Sequence, residues 1–268
     1  MPGGDDRYMK ANRLSWDART PTHFKSRFYD VDGFKAGKSS LNSLEIDEMG
    51  DIGGKRLLHL QCHFGMDTMS WARLGAKVTC VDFSAEAISR ARSLSDELGI
   101  DAEFVVSNVY DLPDALDEQF DVVFTSYGVL NWLPDIAGWA EVVSDHLKPG
   151  GVFYIVEFHP FAAVFEASEA GDMVPTYGYF HHELFFEGGD PSYAGEGIIE
   201  TPTYQWQHSL GDIVSALVAA GLRIEFLHEF PFNCYQLHPA MERGDDGWWR
   251  LPKHNESFPQ MFSIRATR

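Results

Sequence analysis

Between residues 56 and 158 the chain alternates short, nearly continuous apolar runs with stretches where apolar residues recur every three or four positions. The first rhythm belongs to strands covered on both faces, the second to amphipathic helices. Leu57, Leu58 and Leu60 open the series, followed by a turn through Gln61-Cys62-His63-Phe64-Gly65. Met69, Trp71, Ala72 and Leu74 then stand at helical spacing, with Asp67 or Thr68 as the expected N-cap and Gly75 as the stop. Lys77 to Val81 reads as a second strand that closes on Asp82. Ser84 caps a helix with Ala87, Ile88, Ala91, Leu94 and Leu98 on one face and Gly99 behind it. Ala102 to Ser107 and Phe120 to Ser126 are a third and fourth strand, and a helix covers about Asp135 to Leu147. Lys148-Pro149-Gly150-Gly151 reads as a tight stop before a fifth strand, Val152 to Phe158. Strands and helices in this order make an α/β, doubly wound, mostly parallel sheet with right-handed crossovers.

The flanking segments break the rhythm. Residues 1–10 are polar and expected to fray. Asn12 to Leu41 suggests helical pieces broken at Pro21 and Gly33, anchored by Trp16, Phe24, Phe28, Tyr29 and Phe34, and Leu41 to Met49 suggests a further helix. From His159 to about Ser209 the alternation stops in an aromatic-rich stretch, of the length that usually forms a lid or binding loop. Leu210 to Ala220 resumes as a helix, Arg223 to Phe230 as a strand, Phe232 to Pro259 as an irregular excursion, and Met261 to Ala266 as the last strand.

Ligands of open α/β sheets bind beyond the carboxyl ends of the strands. That rule selects Gln61 to Gly65, Asp82 to Ser84, Ser107 to Val109, Ser126 to Gly128 and Phe158 to Pro160. Asp82 lies 17 positions after Gly65, near the offset expected of a carboxylate that accepts both hydroxyls of a ribose.

The LLHLQCHFG turn, the order of elements from Arg56 to Phe158, the NRLSW start and the closing PQMFSIRA resemble the class I S-adenosylmethionine-dependent methyltransferases. The turn departs from most of that superfamily, which has an acidic residue and two more glycines where this chain has His59, Gln61 and His63; only Gly65 fits. Histidine is one of the few other residues enriched at left-handed backbone positions, so His63 is tolerable there. The resemblance implies a seven-stranded Rossmann-like methyltransferase fold whose final strand inserts antiparallel beside the sixth. It implies an N-terminal lid over residues 1–50, a catalytic domain over 51–268 and an insertion at about 159–209. It places S-adenosyl-L-methionine as cofactor, with S-adenosyl-L-homocysteine as product, its methionine part lined by Gln61, Cys62, His63 and Gly65. Asp82 would hold the ribose, Phe83 would lie beside the adenine, and Asn108 and Val109 would meet the adenine edge. Ser126 and Tyr127 complete the cofactor-binding set from the end of the fourth strand.

Methyl transfer from a sulfonium needs in-line positioning and sometimes a base for the nucleophile. His159, at the tip of the fifth strand, is the candidate base, and Glu157 either is buried or faces the site. His181, His182 and Glu183 lie in the insertion, where neighbouring histidines on a strand would point to opposite faces, so no metal site is expected. The leading expectation is methylation of a small-molecule acceptor. Alternatives are a cofactor-binding protein of the same fold that transfers no methyl, and an NAD-dependent oxidoreductase.

Composition narrows the partners. The 268 residues, 44% of them hydrophobic and 14% aromatic, suffice for one α/β domain with an insertion. A formal charge of −19, with the Lys and Arg residues dispersed, disfavours nucleic acid and anionic membranes. Cys62, Cys80 and Cys234 form no CxxC, and the chain shows neither a leader-like segment nor a long apolar run, so a soluble, cytoplasmic protein is expected.

Overall fold

A computed structural model describes residues 6–168, 172–195, 198–254 and 257–268. The N-terminal part forms helices α1 (Asp6–Phe24), α2 (Val31–Lys35) and α3 (Ser43–Met49). The core follows as β1 (Arg56–Leu60), α4 (Met66–Arg73), β2 (Lys77–Asp82), α5 (Ala85–Leu98), β3 (Ala102–Val106), α6 (Leu112–Ala115), β4 (Phe120–Ser126), α7 (Ile136–Asp145) and β5 (Leu147–Phe158). The insertion holds short strands β6 (Phe165–Ala167), β7 (Met173–Pro175), β8 (His182–Phe186), β9 (Asp190–Pro191), β10 (Ile198–Ile199) and β11 (Thr203–Gln207). The chain ends with α8 (Leu210–Ala219), β12 (Arg223–Phe230), the small strands β13 (Glu242–Arg243) and β14 (Trp249–Arg250), and β15 (Met261–Thr267).

One seven-stranded sheet runs in the order β3-β2-β1-β4-β5-β15-β12. The first five strands are parallel, and β15 lies antiparallel between β5 and β12. The strand order reverses between β1 and β4, which puts the topological switch point, where such sheets bind ligands, at their carboxyl ends. Alternate residues feed two cores. Leu58, Leu60, Val123, Phe153 and Ile155 pack with α7 and α8 on one face, while Leu57, Val122, Phe124, Tyr154 and Val156 meet Trp71 and Met49 on the other. Burial on both faces is why these strands read as unbroken apolar runs.

Several local expectations are corrected. α1 begins at Asp6 and continues through Pro21, because the proline falls in the last turn, where only one backbone bond is forfeited, and the helix is tied along its length to α5 and β11. Gly33 lies inside α2, whose N-cap is Asp30, accepting a hydrogen bond from the Gly33 N–H at 3.1 Å. α4 is capped by Gly65 rather than by Asp67 or Thr68. Residues 148–151 form no stop; they bulge within β5, between the Phe120–Leu147 and Val122–Val152 pairs. The stretch 159–209 is less irregular than expected, since β6 pairs with β7, β9 with β10 and β8 with β11 as antiparallel ribbons.

Candidate functional site

The turn after β1 takes three left-handed residues in five: Gln61 at φ 59°, His63 at 51° and Gly65 at 73°. Two of them carry side chains where glycine would be unstrained, a cost typical of functional turns. The Cys62 N–H extends the strand ladder by donating to Val81 O at 3.0 Å, and the Gly65 N–H closes the turn on Cys62 O at 2.9 Å. Gly65 is needed for space as well as conformation, because a Cβ there would lie 3.3 Å from that of Ala91.

Asp82 braces this turn. Its Oδ2 accepts the His63 N–H at 2.8 Å and its Oδ1 the Ser84 N–H at 2.9 Å. Burial pushes its pKa up to about 7, with nearby Asp17 adding and the backbone donors opposing. Asp17, on α1, accepts from Ser84 Oγ at 2.6 Å and so lays the N-terminal helix across the head of α5 beside Asp82. Phe83 is half-buried next to it, Val109 is buried, and Asn108 uses its side-chain oxygen to cap the turn at Tyr110.

The N-terminal helix also reaches the β1 turn and the insertion. His23 Nδ1 lies 3.2 Å from His63 Nε2, and His23 Nε2 lies 2.9 Å from Ser192 Oγ. Burial lowers the pKa of His23 to about 4 and that of His63 well below the ordinary range, so both rings are neutral. Asn12 exchanges two 2.8 Å hydrogen bonds with the backbone of Tyr204, and Trp16 packs edge-on against both His63 and Trp132.

Beyond β4 the backbone is bent at Tyr127, a non-glycine residue at φ 24°. Its hydroxyl donates to Glu45 Oε2 at 2.8 Å and accepts from Asn42 Nδ2 at 3.1 Å. Ser126 Oγ donates to Asp67 Oδ2 at 3.1 Å, and His59 Nδ1 lies 2.8 Å from Thr68 Oγ1. Burial raises the pKa of Glu45 to about 7 and shifts that of Asp67 upward. Glu157 is 4% exposed and binds the loop after β4, accepting the N–H groups of Gly128, Val129 and Leu130. Gln61 Nε2 donates to Val129 O at 3.2 Å, but Gln61 Oε1 and His63 Nδ1 are buried atoms without a hydrogen-bond partner among the described residues.

Gln61, Cys62, His63, Gly65, Asp82, Ser126 and Tyr127 are thus brought to one edge of the sheet, with Phe83, Asn108 and Val109 farther along it. His159 is at the same edge but differently engaged. Its Nδ1 accepts the Phe161 N–H at 3.0 Å, whereas its Nε2 lies 2.8 Å from Glu229 Oε1 on β12 without hydrogen-bonding geometry. His181 Nδ1 sits 3.3 Å from His208 Nδ1, while His182 Nδ1 lies 2.6 Å from Phe180 O, so these adjacent histidines do not converge. Asp17 and Glu45 carry no sequence signal of a role at this edge; the capping signature Asn42-x-x-Glu45 speaks only for the start of α3.

Residues 58–153 match the family model described as a methyltransferase domain. The ubiquinone biosynthesis O-methyltransferase of Xanthomonas euvesicatoria is 30% identical over 149 residues, covering 54% of this chain and 62% of that protein. The chain therefore spans less than two thirds of the length of the curated relatives it matches. An S-adenosylmethionine-dependent methyltransferase structure from Mesorhizobium loti superposes with a TM-score of 0.58 at 20% identity, covering 87% of this chain and 100% of the other. A Listeria monocytogenes structure assigned to the same class gives 0.60 at 17% identity, with 84% and 96% coverage. No described helix is long and apolar enough to cross a membrane. Residues 58–153 are thus similar to a methyltransferase domain, and the chain has the fold of the S-adenosylmethionine-dependent methyltransferase structures.

Proposed function

We propose that the protein transfers a methyl group from S-adenosyl-L-methionine to a small-molecule acceptor, releasing S-adenosyl-L-homocysteine. The observation that carries this reading is Asp82 at the tip of β2. Its two oxygens each hold one backbone N–H, and a carboxylate has about four acceptor positions, so two remain for ribose hydroxyls. The unpartnered Gln61 Oε1 and His63 Nδ1 suit the ammonium and carboxylate of a methionine tail. A pyrophosphate fits this turn less well, because side chains at Gln61 and His63 stand where a dinucleotide site has bare backbone.

The cofactor supplies an electrophilic methyl on a sulfonium; the chain supplies position. Asp82 and the turn 61–65 orient the two ends of the cofactor, and Glu157 fixes the loop after β4 that faces it. Residues 1–50 act as a lid, through Asp17 over the ribose end and Trp16 and His23 over the methionine end. The insertion at about 159–209 closes the acceptor side, and His159 serves as a positioning residue at its root. Excluding water in this way favours attack by the acceptor over hydrolysis. Calorimetric titration with S-adenosylhomocysteine, with NAD in parallel, tests the reading. Micromolar binding of the former alone supports it, and binding of NAD alone would replace it.

A further inference from the structure

Three polar side chains from distant parts of the chain stand in a row at the turn after β1. Ser192 comes from the insertion, His23 from the last turn of α1, and His63 from the turn itself. Ser192 Oγ lies 2.9 Å from His23 Nε2, and His23 Nδ1 lies 3.2 Å from His63 Nε2. His63 Nδ1, at the far end of the row, is buried and has no hydrogen-bond partner among the described residues. Rings enclose the row. Trp16, Tyr29 and Phe64 stand around His63 at centroid separations of 5.2, 5.5 and 4.3 Å, and Tyr193 lies 4.8 Å from His23. The hydroxyls of Tyr29 and Tyr193 pair with each other at 2.6 Å.

Both imidazoles are neutral, so each has one N–H and one bare nitrogen. Only two arrangements of protons keep a hydrogen bond at each contact. In one, Ser192 O–H donates to His23 Nε2, His23 Nδ1–H donates to His63 Nε2, and His63 is left with Nδ1–H. In the other, His63 Nε2–H donates to His23 Nδ1, and His23 Nε2–H donates to Ser192 Oγ. That second arrangement strands the serine proton, because His23 is the acceptor it meets among the described residues. Ser192 Oγ itself accepts the Ala194 N–H at 3.3 Å. Ser192 is buried, and a buried donor without an acceptor costs about 1–3 kcal/mol, so the first arrangement prevails.

We propose that Ser192 and His23 are positioning residues for the cofactor: they fix His63 as its Nδ1–H tautomer, which presents a donor to the carboxylate of the methionine tail. This rests on the methyltransferase reading, in which His63 Nδ1 meets that tail. An N–H facing a carboxylate makes a charge-assisted hydrogen bond, whereas the other tautomer sets a lone pair against it. Ser192 belongs to the insertion and His23 to α1, so the donor is set only when both segments are docked. Docking and cofactor affinity are thereby linked, each strengthening the other.

The test is nitrogen NMR of the full chain carrying isotope-labelled histidine, with His63 assigned by comparison with His63→Gln. The parent should show His63 as a single tautomer protonated at Nδ1. Ser192→Ala removes the donor that sets the direction and should show both tautomers. Its affinity for S-adenosylhomocysteine should fall by the inverse of the remaining Nδ1–H fraction, about two- to fivefold, since only that form is competent. Methylthioadenosine, which has the adenosine and the sulfur but no amino-acid end, should bind parent and variant alike. Ser192→Thr keeps the hydroxyl and should restore both tautomer and affinity. A parent protonated at Nε2, a Ser192→Ala variant that keeps the single Nδ1–H form, or an equal loss for both ligands overturns the proposal. Binding of neither ligand by the parent strikes the cofactor assignment itself, so the two readings fail separately.

Discussion

His23 Nδ1 on the N-terminal helix faces His63 Nε2 in the turn after β1 at 3.2 Å, and a single proton must serve that contact. Burial keeps both rings neutral. His23 is held near pKa 4 by burial, whereas with α1 detached it would return toward its ordinary 6.5. Between those values the detached state binds more protons than the docked one, so docking of α1 weakens as pH falls through this window. Amide exchange of residues 12–24, corrected for intrinsic rates, is expected to be faster at pH 5 than at pH 7.5. The difference should shrink in His23→Gln. Equal protection at both pH values would show that the histidine pair does not hold α1 in place.

Asp82 makes a second pH dependence, of the same sign but at higher pH. Burial raises its pKa to about 7, so near neutrality much of it carries a proton in the free protein. Ribose hydroxyls are donors and select the ionised form. Affinity for S-adenosylhomocysteine should therefore rise from pH 6 to pH 8, with proton release in calorimetry. Asp82→Ala should weaken binding by about 1.5–3 kcal/mol, the range for hydrogen bonds to charged groups. Unchanged affinity in that variant would remove Asp82 from the site.

Glu157 is the keystone of the loop after β4. Replacing it with alanine leaves the N–H groups of Gly128, Val129 and Leu130 without their acceptor in a buried place. Glu157→Ala is expected to lose about 2–4 kcal/mol in denaturant unfolding, on the scale of unsatisfied buried donors. Glu157→Gln keeps one acceptor oxygen and should lose less. A variant as stable as the parent would mean that the loop is anchored elsewhere, at the Trp132–Trp16 contact for example.

What could be read in advance follows from where the information lies. The strands from Leu57 to Phe158 announced themselves because burial on both faces forces continuous apolar runs, and Asp82 because strand ends are counted along the chain. His63 in a left-handed conformation followed from its place in the turn. The helix through Pro21 was misread since its support comes from Tyr204 and Ser84, far away in sequence. The ribbons of the insertion were missed because strands as short as Ile198–Ile199 contain no period to detect. Position along the chain makes His159 a candidate base; only the fold shows that the Phe161 amide occupies its Nδ1 and that Glu229, 70 residues on, stands beside its Nε2. Asp17 and Glu45 sit on helices outside the sheet, and no spacing rule connects them to it.

Glu45 is a carboxylate whose burial works against its own charge. It is fully buried, with a pKa near 7 caused chiefly by desolvation, against 4.5 for an ordinary glutamate. Between those values the folded protein retains a proton that the unfolded chain has lost, so stability falls as pH rises through the window and the full penalty stands above pH 7. A displacement of that size corresponds to about 3 kcal/mol. Glutamine keeps the shape, can still accept the Asn42 N–H, and carries no charge to desolvate. Glu45→Gln should therefore match the parent near pH 5 and exceed it by about 1–3 kcal/mol at pH 8, less whatever its altered contact with Tyr127 costs. If the two proteins show the same pH dependence, the Glu45 charge is already neutralised within the fold.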